Sequence, residues 1–392
     1  MNFKAILFGV LIFWTTTSFA QNKDFGVFAK RCDSLMRIAL HENNPRSYLV
    51  LMNDLNDKYN KLSQEDKGYF KGYIITAFYN LSCTYSLLND KKNAIVYLKK
   101  AIEAGYFNYD HIQQDSDLDN IRKEEAFLEA IQPLRETGDY LYILKKASKY
   151  DFNDKREITK FTYKPMNDPE LEIIRKKYNL DSVIGTGNEV SQILNLLHWV
   201  HNSFPHDGTK DAPQSSSISN LMDICVKDHK TLDCGSLARV LNDCYSALGF
   251  KSRRVVCLPK DSTDFDCHSI NTVYSKTMNK WLWIDPTNDA YVMNEAGELL
   301  SIEEVRERLV NDKPLILSPE ANWNHKFSIT KEDYLYHYMA KNLYAILCFV
   351  KVGGETYSNL LLPVEYKGII PRTRDNKPKC TNNPDVFWAK PE

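Results

Sequence analysis

The residues that could do chemistry in this 392-residue chain gather in one stretch. Cys234 stands in Thr231-Leu-Asp-Cys-Gly-Ser-Leu-Ala238, His268 follows 34 positions later, and Asp285 another 17 on, in Trp281-Leu-Trp-Ile-Asp-Pro-Thr287. A free thiol is mostly protonated at neutral pH, and it is the thiolate that attacks. An imidazole beside it takes and returns the proton, and a carboxylate holds that imidazole in one tautomer and orientation. A lone cysteine is more often core packing than a nucleophile. The ordered set of three points to attack on an acyl carbon.

The elements around these residues must bring them together. Leu237, Val240, Leu241, Cys244 and Leu248 recur at helical spacing up to Gly249, a good helix terminator. Cys234 therefore opens an amphipathic helix, where unsatisfied N–H groups and the helix dipole favour a thiolate. Asp233 reads as its cap and Cys244 as core. Arg253–Leu258 is a strand by its β-branched content. A polar loop, Pro259–Asp266, leads to His268 at the head of a second strand, Ser269–Tyr274. Ser275–Asn279 is a turn, and Lys280–Ile284 a third strand that ends at Asp285, with Pro286 fixing the chain after it. In such a hairpin the ends far from the turn lie side by side, so His268 should meet Asp285. Of Trp281 and Trp283, one is expected in the core and Trp283 in the cleft.

A cysteine at a helix start, a Gly-terminated helix, a strand, a histidine and then Trp-x-x-x-Asp-Pro-Thr resembles the transglutaminase-like superfamily, over roughly residues 190–300. The resemblance implies a papain-like α+β core with an antiparallel sheet on the cysteine helix. It also implies acyl transfer through a thioester, to water or to an amine, with Cys234, His268 and Asp285 as the catalytic triad. The backbone N–H of Cys234 would be half of an oxyanion hole. The other half comes in the family from an upstream side chain, here Asn202 or Gln192. The family often has an aromatic residue soon after the histidine, where this chain has Ser269-Ile270-Asn271. That departure leaves room for a member that kept the fold without the activity.

Upstream, His198, Trp199, His201, His206 and Asp207 form a dense cluster. His198 and His201 are one helical turn apart, but no third ligand has a metal-site spacing, so no metal is expected. The segment reads either as a wall of the cleft, with Trp199 and His201 on it, or as purely structural. No Gly-rich phosphate loop is present, and no cofactor is expected. There are nine cysteines, and an odd number leaves at least one without an intrachain partner. Cys257 and Cys267 could bridge the loop before His268 or stay reduced.

The whole chain sets the frame. With 43% apolar and 12% aromatic residues it is globular, and long enough for more than one core. Its 50 basic and 51 acidic residues nearly cancel, with no basic stripe for nucleic acid. Residues 1–20 read as a secretory signal: Lys4, the apolar run Ala5–Trp14, and Ser18-Phe-Ala20 before Gln21. The mature chain is thus expected to be periplasmic or extracellular, with no transmembrane span. Residues 21–135 are helical. Phe78, Leu81, Ser82, Tyr85, Ala94, Leu98 and Ala101 resemble a tetratricopeptide repeat, with small residues where two helices cross and Lys91–Asn93 in the turn. Such a region could dock a protein partner. A linker, 136–169, leads to the transglutaminase-like domain, 170–317, and a β-rich C-terminal region, 318–392. The fold class expected is multidomain: all-α, then α+β, then β-rich. The function expected is an exported cysteine peptidase or amidase acting on peptide or isopeptide amides. The alternative is a catalytically silent binding or scaffold protein.

Overall fold

The computed structural model describes residues 23–42, 44–209, 212–262, 264, 266–366 and 378–392. The signal peptide expected at residues 1–20 lies outside them. The chain forms two compact units that divide between Leu134 and Arg135.

The first unit is helical. Helices α1 (Lys23–His41) and α2 (Pro45–Asn60) are followed by α3 (Gln64–Leu87) and α4 (Lys91–Glu103), each helix packed on the next. Asn44, Ser63 and Asp90 cap α2, α3 and α4 by accepting a backbone N–H in the first turn. Lys91–Asn93 therefore begin α4 and do not lie in the turn, because Asp90 is the cap. Ala94, Leu98 and Ala101 are fully buried, and Ser82 donates its hydroxyl to the Ala94 carbonyl at 2.7 Å. Small residues thus let α3 and α4 approach closely. The helices α5 (Tyr109–Gln114) and α6 (Glu125–Gly138) follow; Ile112, Phe127 and Ile131 close the second core of this unit.

The second unit is mixed. Helices α7 (Tyr140–Lys146), α8 (Pro169–Lys177), α9 (Leu180–Ile184), α10 (Glu189–Ser203) and α11 (Ile218–Asp228) precede α12 (Cys234–Ala247). Then come β1 (Ser252–Leu258), β2 (His268–Ser275) and β3 (Lys280–Ile284), the short β4 (Val292–Met293), and α13 (Ile302–Val310). The short strands β5 (Ile316–Leu317), β6 (Asn322–Trp323) and β7 (Phe327–Ser328) lead to a π-helical stretch, Glu332–Met339, and α14 (Ala340–Asn342). The chain ends with β8 (Ala345–Val352), β9 (Glu355–Leu361), β10 (Lys379–Thr381) and α15 (Pro384–Phe387). Among the described residues six strands form one sheet in the order β10-β9-β8-β1-β2-β3, antiparallel except for the β9–β10 pair.

That order corrects two boundaries. Residues 318–392 are not a separate β-rich region, since β8 pairs with β1 along Val255–Leu258 and the tail supplies half the strands. Residues 136–169 are not a free linker either. Helix α7 buries Ile143 and Leu144, and the amide of Thr159 donates to the Asn359 side chain on β9 at 2.9 Å. Sequence proximity hid both, because the pairings join segments about 90 and 200 positions apart.

Helix α12 packs on β1 and β2, and two cores lie on opposite sides of the sheet. Val273, Leu282 and Ile284 face the core that holds α10 and α12. Ile270 and Trp283 face the one that holds α13 and the π-helical stretch. The alternation of neighbouring residues between the two follows from the period of two along a strand.

Candidate active site

Asp233 starts the site locally. Its carboxylate accepts the Ser236 amide at 2.6 Å and caps α12, leaving Cys234 as the first helical residue. The β2–β3 hairpin starts it from the other side. Asn271 lies opposite Ile284, which places Asp285 beyond the strand end, beside Ile270 and diagonal to His268 on one face. His268 Nε2 and Asp285 Oδ2 are 2.7 Å apart, both buried. The Asn271 side chain donates to the Ala238 carbonyl at 2.9 Å and ties β2 to the first turns of α12. Cys234, His268 and Ser269 thereby line one cavity. With Nε2 on Asp285, Nδ1 is the ring atom left for the thiol.

Asp285 is saturated with donors. Besides His268 it accepts the Tyr334 hydroxyl at 2.6 Å, the Asn288 side-chain amide at 2.9 Å and the Thr287 amide at 2.8 Å. Burial opposes its ionisation, but the His268 charge and these bonds win and hold its pKa below the ordinary aspartate value. His268 follows: burial works against its charged form, yet the Asp285 carboxylate raises it to about 10. Cys234 is the converse. Burial would raise the thiol, but hydrogen bonds from His206 and His268 and the imidazolium charge bring it down to about 6. The two shifts act together to favour a thiolate–imidazolium pair over the neutral pair.

The pair borders a cavity of about 620 Å³, within the usual size of small-molecule sites, roughly 300–1,000 Å³. Its wall includes His206, Cys267, Thr287, Trp323, Tyr334 and Tyr338. Tyr338 sets its ring edge-on to His268, with centroids 5.2 Å apart. The hydroxyl of Thr287, a buried residue, has no protein partner among the described residues. Lys341 anchors the loop before His268 by binding Asp264 and Asp266 at 3.0 and 2.7 Å. Such a site can present a charged sulfur nucleophile and a proton donor to a polar carbonyl group.

No family model matches the chain, and no solved structure matches it. A stretch of 84 residues is 33% identical to a chloroplastic protein of Arabidopsis thaliana. It is 20% of this chain and spans about a quarter of that relative's length, 24%.

Cys234, His268 and Asp285 come together, whereas the three expected cleft residues stand behind the wall. Trp199 packs edge-on against Tyr178 and Phe204 in the α10–α12 core. His201 is buried, its two ring nitrogens each 3.1 Å from the Pro286 carbonyl and the Asn322 side-chain oxygen. Trp283 is buried and donates its indole N–H to the Tyr334 hydroxyl at 3.2 Å. Trp281 and Trp283 are two apart on β3, so they share a face and neither turns to the cleft. His198 bonds Asp289 at 2.7 Å. Gln192 donates to the Gly187 carbonyl, and neither it nor Asn202 reaches the cavity wall. Cys257 and Cys267 are separate thiols. His206 is visible within the histidine cluster, but nothing in its spacing sets it above His198 or His201. Asn288 lies three residues past Asp285; Trp323, Tyr334 and Tyr338 lie too far along the chain to be linked to it by spacing.

Proposed function

We propose that the second unit is a transglutaminase-like cysteine hydrolase or acyltransferase with a papain-like core, acting on peptide or isopeptide amides. The observation that carries this reading is Cys234 at a helix start, lining one cavity with His268, whose Nε2 lies 2.7 Å from the fully buried, donor-saturated Asp285 carboxylate. Cys234 Sγ attacks the amide carbonyl carbon, and the carbonyl oxygen takes up the negative charge. As the C–N bond breaks, His268 gives its Nδ1 proton to the leaving amine, and a thioester remains on Cys234. His268, now neutral, takes a proton from water or an amine as that nucleophile attacks the thioester. The C–S bond breaks, and the thiolate–imidazolium pair is restored. Asp285 stays ionised throughout and keeps His268 in one tautomer. No cofactor enters these steps. Residues 1–20 support export, and the helical first unit suits a protein partner or scaffold role.

The test is the rate of iodoacetamide labelling at Cys234 against pH, read by peptide mass spectrometry, in the wild type and in His268→Ala. The expected wild-type rate has its midpoint near pH 6, and the variant's moves up to or beyond the ordinary thiol value of about 8.5. A wild-type midpoint near that ordinary value, indifferent to His268, would sink the enzyme reading in favour of a silent binding protein.

A further inference from the structure

The attack described above puts negative charge on the carbonyl oxygen, and a backbone amide of α12 is one donor for it. The second donor has to sit beside Cys234 Sγ, offer an N–H, and be held before the substrate arrives. His206 meets these requirements. It precedes α11, and its chain segment pairs with the residues leading into α12: Leu232 donates to the Pro205 carbonyl at 3.0 Å, and Asp207 donates to the Leu232 carbonyl at 2.9 Å. Asn324 locks the backbone of His206 from the other side, accepting its amide and donating to its carbonyl, both at 2.8 Å. His206 lines the same cavity as Cys234, and its backbone bridge to Leu232 sets it two residues from the start of α12.

Trp323 decides what that ring can do. Its indole Nε1, which can only donate, lies 2.9 Å from His206 Nδ1. Nδ1 must therefore present its lone pair, and the neutral ring carries its proton on Nε2. Nε2, the ring nitrogen not taken by Trp323, is then a fixed N–H donor. The geometry points to His206 as the second oxyanion donor of this site, with Trp323 as the positioning residue that sets its tautomer. This rests on the acyl-transfer reading of Cys234. The two histidines divide the work by their partners. His268, on a carboxylate, is the proton carrier, whereas His206, on an indole, offers a neutral N–H.

Two reagents separate this role from a structural one. Iodoacetamide alkylates the thiolate by displacement at carbon, with no oxyanion, whereas an aldehyde adds to it and forms one. Full-length wild type, His206→Ala, His206→Gln and Trp323→Phe would be compared at a pH where Cys234 is ionised in each. N-acetylglycinal binding would be measured as protection from iodoacetamide, with free N-acetylcysteine as the reference thiol. Wild type should bind the aldehyde more tightly than N-acetylcysteine does. His206→Ala should lose on the order of a hundredfold in aldehyde affinity, with little change in the limiting alkylation rate. His206→Gln, which keeps an N–H, should recover part of that loss, and Trp323→Phe should show a smaller loss in the same direction. Because alkylation reports on the same thiol, it also shows that each variant keeps its site, and Trp323→Phe carries the test if His206→Ala does not fold. Unchanged aldehyde affinity in His206→Ala, or wild-type binding no tighter than the free thiol's, with Cys234 still activated, overturns the His206 assignment alone. A wild-type Cys234 that titrates like a free thiol overturns the acyl-transfer reading and this assignment with it.

Discussion

At the residue scale the site rests on how buried charges are satisfied. Asp285 is fully buried, and such a carboxylate is tolerable only because His268, Tyr334, Asn288 and the Thr287 amide all point to it. Tyr334→Phe removes one donor and leaves the Trp283 indole N–H without its acceptor. We expect a loss of about 1–3 kcal/mol in denaturant unfolding. The iodoacetamide midpoint of Cys234 should shift less than in His268→Ala, because the imidazole itself remains. The thiol makes a second prediction, in stability. Its folded pKa, about 6, is below the ordinary thiol value of about 8.5 that the unfolded chain takes. Its contribution is therefore complete above pH 9, shrinks as pH falls, and is gone below about 6. Wild type should gain stability over Cys234→Ala between pH 6 and 9, by at most about 1.4 kcal/mol per pH unit. A difference flat across that range in paired urea titrations would rule out the depressed thiol.

At the element scale the hairpin β2–β3 matters most, since it carries both His268 and Asp285. Its turn is held from outside. Glu189, in the first turn of α10, accepts the Ser275 hydroxyl and the amides of Lys276 and Thr277 at 2.7, 2.9 and 2.8 Å. Burial opposes the Glu189 charge, but these bonds keep its pKa below the ordinary glutamate value. Glu189→Ala should cost about 1–3 kcal/mol and speed amide exchange across the turn, as hydrogen-exchange mass spectrometry would show. Unchanged exchange at Lys276 and Thr277 would mean that the turn holds itself. The signals for this hairpin are local: two β-branched or aromatic runs around a polar turn are enough to pair the strands. The same logic fails for Trp283, because sharing a face with Trp281 buries both.

At the scale of the whole molecule the second unit is one compact body, Arg135–Glu392. Strand β8 lies between β1 and β9, so ending the chain at Leu317 removes half of the main sheet and the Tyr334 donor to Asp285. A protein running from residue 135 to 317 should lack a cooperative melt. One running from residue 135 to 392 should melt cooperatively and label Cys234 at the full-chain rate. Cooperative unfolding of the shorter chain, followed by circular dichroism, would show that the tail is dispensable. Among the described residues no helix is long and apolar enough to cross a membrane.

The sequence by itself determined the ordered set Cys234, His268 and Asp285, the helix that starts at the cysteine, and the hairpin that pairs the other two. Each depends on interactions within about 50 positions, and local periodicity and turn chemistry encode such interactions directly. Only the tertiary structure decided which side chains face the cavity. His206 reaches it and His201 does not, although both stand in one histidine-rich segment, because Trp323 and Asn324, more than 100 positions away, hold the first. The tertiary structure also decided that the C-terminal strands complete the central sheet. Strand pairing across such distances depends on which edges meet after the chain collapses, and no residue's type or neighbours record that outcome.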